Sequence, residues 1–143
     1  MKMMNIRIAE FTIEAYEQVY RLWNISNGIG LSAADSRDNI QTYLDRNPGM
    51  SLLAWDESNI VASILCGHDG RRGYIHHLAV HPDYRRQGLG GMLVEKSLAA
   101  LSSAGIQKCH IFIYNDNAPG CEFWKSIGWT PRRDIGVISK DLY

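Results

Sequence analysis

The stretch Leu78-Ala-Val-His-Pro-Asp-Tyr-Arg85-Arg-Gln-Gly88-Leu-Gly90-Gly91-Met-Leu-Val94 decides the fold. It reads as an apolar strand that runs into a basic, glycine-rich turn and then into an amphipathic helix. Such a turn aims several backbone N–H groups at one spot, and the helix N-terminus adds the positive end of its dipole there. Gly88, Gly90 and Gly91 carry no Cβ to keep an anion away from the backbone. Arg85 and Arg86 set fixed positive charge beside those amides. A pyrophosphate is the natural ligand of that arrangement.

Spacing narrows the choice of pyrophosphate. A P-loop needs Gly-Lys-Ser or Gly-Lys-Thr, and no such run follows these glycines. A dinucleotide-binding turn needs a third small residue three places after the second glycine, where this chain has Leu93. What remains is Arg85-x-x-Gly88-x-Gly90, preceded by a strand with a Val80-His81-Pro82 exit and followed by a helix.

Outward from that stretch, hydrophobic periodicity predicts the rest. Ile6-Arg-Ile8 alternates as a short first strand, and Val19, Leu22, Trp23 and Ile25 recur at helical spacing within residues 13–25. Residues 26–34, with Gly28 and Gly30, form a loop; Asp35 or Ser36 then caps a helix through Arg46 with Ile40, Tyr43 and Leu44 on its buried stripe. Strands follow at 52–55, 60–66 and 74–80, a helix at 88–104, a strand at 109–114, a helix at 118–127 and a last strand at 135–142. The order β-α-α-β-β-β-α-β-α-β argues a mixed α/β sheet with helices on both faces.

Composition excludes several classes. A chain of 143 residues suits one domain, and 45% hydrophobic with 21% charged residues is ordinary for a soluble globular protein. Lys plus Arg equals Asp plus Glu at 15 each, so no global field favours nucleic acid or an anionic membrane. No apolar run is long enough to span a bilayer, and Met1-Lys-Met-Met-Asn-Ile-Arg turns polar too early for a secretory segment. Cys66, Cys109 and Cys121 have no C-x-x-C spacing, so neither a disulfide framework nor a zinc site is expected. A reduced, cytoplasmic setting fits.

The element order and the Arg85-x-x-Gly88-x-Gly90 turn together resemble the GNAT superfamily of acyl-CoA-dependent N-acetyltransferases, over essentially the whole chain. Asn117-Ala-x5-Trp124-x3-Gly128-Trp129 is similar to the family's second landmark. Gly67-x-Asp69-Gly-Arg-Arg-Gly73 and Phe123-Trp124 resemble a bacterial subgroup of unassigned substrate. The resemblance implies a single domain over residues 1–143, with a mostly antiparallel sheet splayed between the fourth and fifth strands. It implies acetyl-CoA as cosubstrate and no metal. Arg85, Arg86, Gln87, Gly88, Leu89, Gly90 and Gly91 would then hold the diphosphate, Leu78, Ala79 and Val80 would pair with the pantetheine arm, and Asn117 and Trp124 would contact the cofactor.

Attack on a thioester needs a neutral amine, whereas a lysine-like amine has a pKa of ~10.4 and arrives charged. Histidine is the usual base near neutrality. Strand alternation puts Tyr74, His76 and Leu78 on one face and Ile75, His77 and Ala79 on the other. The family's base belongs to the first face, so His76 is the candidate general base, directly or through a water, with His77 as a packing or hydrogen-bonded residue. Both could equally be structural. Trp124 stands where the family usually has a Tyr able to protonate the departing thiolate. Tyr114 is the nearest replacement, or else the thiolate leaves unaided.

The acceptor is expected to be an amine of a small molecule, an amino acid or a protein. Trp23, Asn24, Asn27, Asp35 and the cluster Arg132-Arg133-Asp134 are candidates for the wall of its pocket. No nucleic-acid or membrane partner is expected, and a homodimer is allowed. A non-catalytic acyl-CoA-binding module is the main rival reading: Trp124 favours it and His76 opposes it.

Overall fold

The computed structural model describes residues 5–143; residues 1–4, which carry part of the leader reading above, lie outside them. In chain order the elements are β1 (Ile6–Glu10), α1 (Tyr16–Asn24), α2 (Arg37–Arg46), β2 (Leu52–Asp56), β3 (Asn59–His68), β4 (Gly73–Val80), α3 (Leu89–Ser103), β5 (Cys109–Ile111) and α4 (Ala118–Ser126). Single 3-10 turns precede α1 and α2 at Ile13–Ala15 and Ala33–Asp35. The chain divides into one unit through Phe112 and a second from Ile113.

In the first unit five strands form a sheet in sequence order. The first three pairings are antiparallel, and β4–β5 is parallel. Pairing between β4 and β5 is confined to Gly73–Ile75 against Cys109–Ile111, although β4 runs on to Val80. The expected splay is therefore present: past Ile75, β4 has no ladder on that side among the described residues.

Two glycines show which helices cover which face. A Cβ on Gly67 would lie 2.5 Å from Asn47 Nδ2 and 2.8 Å from Tyr43 Oη, so β3 meets the α2 region too closely for a side chain. A Cβ on Gly73 would lie 2.6 Å from Leu101 Cδ1 on α3. Gly67 pairs with Tyr74, the neighbour of Gly73, so these two contacts are on opposite faces. α1 shares the α2 face. Val19, Leu22 and Trp23, spaced i, i+3, i+4, enter one core with Phe11, Ile40, Leu53, Leu65 and Ala79. Trp23 is 1% exposed, and its indole N–H donates to Ser63 Oγ at 3.1 Å, so its one polar atom is satisfied inside that core. Ser36, not Asp35, caps α2 by accepting from the Asn39 N–H.

In the second unit Asn117 caps α4, its side-chain oxygen accepting from Gly120 N–H at 3.1 Å, with Pro119 in the first turn. Trp124 meets Trp129 edge-on with ring centroids 4.6 Å apart. The strand expected at 135–142 does not form. Ile135, Val137, Ile138 and Leu142 are exposed, and no ladder partner reaches them among the described residues. β5 likewise stops at Ile111 instead of Tyr114. Alternation gives a segment strand propensity, but a strand exists only where a neighbour accepts its hydrogen bonds.

Candidate active site

The glycine-rich turn has the geometry of an anion cradle. Gly88 is the N-cap of α3 with φ +81°, and Arg86, two residues before it, is also left-handed at φ +61°. The first bond into the helix runs from Met92 N–H to Gly88 O, so the amides of Leu89, Gly90 and Gly91 have no protein acceptor among the described residues. A Cβ at Gly88 or Gly91 would meet nothing within 4 Å, so the flanks of the turn are open, while Leu89 and Gly90 are buried at the start of α3. Arg85 is exposed and anchored through Nε to Val80 O at 3.2 Å, which ties the guanidinium to the end of β4. Arg86 and Gln87 are exposed on the same turn. Unpartnered amides, open space and two guanidiniums fit the diphosphate of a CoA.

Upstream on β4 the strand is bulged. Leu65 pairs with His76 and Ser63 with Ala79, so β4 has His77 and Leu78 where β3 has only Ile64. His77 takes the extra turn with φ +50°. This corrects the face assignment made from alternation. His76 lies against Tyr43 of α2, and His77 against Trp23 of α1 with centroids 5.0 Å apart. Both histidines therefore face the α1–α2 side with Ala79, while Gly73 and Ile75 face α3. Leu78 no longer shares the His76 face by simple alternation, because the extra residue shifts the register by one.

The two rings differ in their surroundings. His76 is half-buried between Tyr43 and Phe112. Burial, and then the neighbouring His77, hold its pKa below the usual histidine value, with Asp35 acting in the opposite direction. His77 Nε2 sits 2.7 Å from Asp35 Oδ1, and Asp35 Oδ2 accepts the Ser32 N–H at 3.0 Å. Asp35 is therefore not an open wall residue: it is buried and paired. Tyr16 Oη donates to its backbone oxygen at 2.6 Å. Nothing in the local sequence marks the Asp35–His77 pair, because its members are 42 residues apart.

Other candidates are placed differently. Trp23 is core, while Asn24 and Asn27 are exposed. His81 Nδ1 accepts the Asp83 N–H and so caps the 3-10 turn after β4. Burial pushes the Cys66 thiol up to about 12 and the Cys109 thiol up to about 11, which keeps both protonated and poorly nucleophilic. Among the described residues no cluster of His, Cys, Asp and Glu could hold a metal ion, and no helix is long and apolar enough to cross a membrane. In the second unit Arg132 grips Asp134 through two hydrogen bonds of 2.9 Å, Tyr114 is exposed, and Trp124 is buried.

Comparison with known proteins follows the same lines. Residues 16–129 match the model of the acetyltransferase (GNAT) family. An acetyltransferase of Sodalis glossinidius is 27% identical over 139 residues, covering 97% of this chain and 96% of its own. An acetyltransferase of Pectobacterium atrosepticum is 32% identical over 114 residues, covering 80% of this chain and 79% of its own. Among solved structures, the PaiA N-acetyltransferase of Thermoplasma acidophilum in complex with coenzyme A superposes with TM-score 0.82 at 19% identity, over 93% of this chain and 94% of that one.

Proposed function

Because the chain belongs to the GNAT family of acetyltransferases, we propose that it moves the acetyl group of acetyl-CoA to a primary amine of a small molecule, amino acid or protein by direct attack in a ternary complex. The observation that carries this reading is the row of unpartnered amides at Leu89, Gly90 and Gly91, opened by Gly88 and flanked by Arg85 and Arg86. Those groups would hold the diphosphate, with Gln87 contributing its backbone. The unpaired edge of β4 at Leu78, Ala79 and Val80 would take the amides of the pantetheine arm. Asn117 and Trp124 are assigned to the cofactor by the family pattern alone. The crystallised CoA complex of the Thermoplasma protein supports the same ligand.

His76 is the proposed general base. Its lowered pKa keeps the ring neutral at pH 7, the state able to accept a proton from the incoming ammonium. The setting proposed is the cytoplasm, in keeping with three unpaired cysteines. The test is release of free CoA thiol from acetyl-CoA against a mixed panel of amines. Thiol release with any primary amine supports the reading and identifies the acceptor class. CoA binding without release from any amine would instead favour a non-catalytic acyl-CoA sensor, the role that the missing hydroxyl at Trp124 favours.

A further inference from the structure

Acetylation of a charged amine removes two protons from one nitrogen. The ammonium loses the first before it can attack. Once the N–C bond has formed the nitrogen is again cationic, and it must lose the second for the amide to result. The C–S bond breaks with its electron pair going to sulfur, the thiolate takes up one proton, and one proton is released to solvent. A single neutral imidazole accepts one proton at a time, so a second acceptor is useful at the same nitrogen. The bulge in β4 puts two histidines on one face of the sheet.

We propose that His77, oriented by Asp35, is a second catalytic base of this site, and that it takes the proton released after the N–C bond has formed. The proposal rests on the acetyl-transfer reading above and divides the proton handling between His76 and His77.

A 2.7 Å contact with a buried carboxylate sets His77 apart from the other histidines. A carboxylate only accepts hydrogen bonds, so in the neutral ring Asp35 fixes the proton on Nε2 and leaves the Nδ1 lone pair free. Nδ1 has no partner among the described residues, whereas His68 Nδ1 accepts the Gly70 N–H and His81 Nδ1 accepts the Asp83 N–H. Asp35 is itself held in place: the side chain is 8% exposed, Oδ2 accepts the Ser32 N–H, and its backbone oxygen accepts from the Tyr16 hydroxyl. Once His77 is protonated, the same carboxylate stabilises the imidazolium, as the buried aspartate does in a Ser-His-Asp triad. The backbone of His77 is left-handed at φ +50° in the middle of a strand, a conformation uncommon for residues other than glycine. Strain kept at a side chain that is locked by a buried carboxylate and by Trp23 is the pattern of a site held in place for use. The titratable groups around the pair are His76 on β4, Tyr16 and Tyr20 on α1 and Tyr43 on α2; Arg37 and Glu17 form an exposed ion pair nearby in the chain. Burial raises the pKa of the Tyr16 and Tyr43 hydroxyls, so neither takes a proton at neutral pH.

The test is the pH dependence of turnover with an alkylamine that releases thiol, comparing wild type with His76→Gln, His77→Gln and Asp35→Asn. In His76→Gln, raising the pH lets solvent supply neutral amine, so kcat/KM climbs back toward wild type about tenfold per pH unit below the amine pKa. In His77→Gln and Asp35→Asn the missing step occurs on the enzyme. Their kcat is expected to stay about 10²-fold low at every pH, with CoA dissociation constants unchanged. Glutamine can still hydrogen-bond Asp35 but cannot take a proton. If His77→Gln keeps wild-type kcat across the pH range, the pair is only a fastening between β4 and the segment before α2, and the proposal is overturned. It is overturned equally if high pH rescues His77→Gln as it rescues His76→Gln. Wild-type protein that releases no thiol with any amine overturns the acetyl-transfer reading itself, an outcome visible before any variant is made.

Discussion

The turn after β4 and the bulge inside β4 are near neighbours in the chain and work by opposite means. The turn acts through backbone: the amides of Leu89, Gly90 and Gly91 are open because a helix starts there, and glycine keeps the approach clear. The bulge acts through side chains, and each is fixed by a partner far along the chain, Asp35 and Trp23 for His77 and Tyr43 for His76. A backbone site tolerates almost any surroundings but no added Cβ at its centre. A side-chain site depends on its surroundings and fails when one of them is removed. Substitutions should therefore break the two regions differently, the turn in ligand affinity and the bulge in rate and pH dependence.

The largest effect is expected at the turn. Gly90→Glu puts a carboxylate and its stem at the start of α3, where both sterics and charge oppose a diphosphate. CoA binding measured by calorimetry should be lost, by about 10³-fold or more, in a protein whose far-UV spectrum is unchanged. Retained affinity in folded Gly90→Glu would remove the turn from the binding site.

His76→Ala comes next and should act on rate without touching CoA affinity. A loss of about 10²–10³ in kcat/KM at neutral pH is expected of a general base. The sign of the pH dependence follows from the direction of its shift. Burial holds the folded-state pKa of His76 below the ordinary histidine value of 6.5, so the ring is neutral and competent at pH 7 and is lost as a base only below 6.5. The wild-type acid limb should thus have its midpoint below pH 6.5, and His76→Ala should flatten it. In the unfolded chain His76 binds its proton at higher pH than in the fold, so this group makes the protein less stable as the pH falls through 6.5 toward the lower folded value. An unchanged acid limb in the variant would pass the role to another group.

These two regions also differ in how far the sequence reveals them. Gly88, Gly90, Arg85 and the apolar repeat after them are local, and they lead to the turn and to α3 within a residue or so of the observed start at Leu89. The bulge leaves no such mark. His76-His77-Leu78-Ala79 reads as plain alternation, and only the pairing with β3 shows the extra residue. Asp35 could be placed near the acceptor loop but not opposite His77, since tertiary packing makes that pair. The same limit explains the last strand. Residues 135–142 have the composition of a strand, yet Val137 and Ile138 are exposed, because composition does not supply a neighbour. The α1–α2 core was legible for the opposite reason: Val19, Leu22 and Trp23 mark one face of a helix by spacing alone.

A smaller effect is expected at Trp124, which belongs to neither region and departs from the family's usual tyrosine. Trp124→Phe should keep most of kcat if the indole only packs, since an aromatic ring survives beside Trp129. Trp124→Ala should lower unfolding stability by about 3 kcal/mol through the cavity it leaves, read from denaturant midpoints. Trp124→Tyr restores a hydroxyl. A tenfold rise in kcat, about 1.4 kcal/mol of barrier, would show that thiolate departure had lacked an acid it could use. Complete loss of turnover in Trp124→Phe with CoA affinity intact would instead implicate the indole N–H.

The smallest effect gives the sharpest comparison, because each region contains one non-glycine residue in the left-handed region: Arg86 at φ +61° in the turn and His77 at φ +50° in the bulge. Replacing either by glycine relieves a backbone cost of about 1 kcal/mol. At Arg86 no packed side chain is lost, since the side chain is exposed, so Arg86→Gly should leave stability unchanged or raise it by up to about 1 kcal/mol. Glycine's extra freedom in the unfolded chain takes back part of the gain. Its other consequence is electrostatic: one cation fewer beside the diphosphate weakens CoA binding a few-fold and reduces its salt dependence. At His77 the same relief is outweighed. His77→Gly leaves the Asp35 carboxylate buried without its 2.7 Å partner and removes the ring packed on Trp23. Losing a hydrogen bond to a buried charged group costs about 1.5–3 kcal/mol, so the net change should be destabilising. Urea denaturation of the two variants side by side decides the matter. If His77→Gly proves as stable as Arg86→Gly, Asp35 does not need its partner, and the bulge is held by backbone alone, as the turn is.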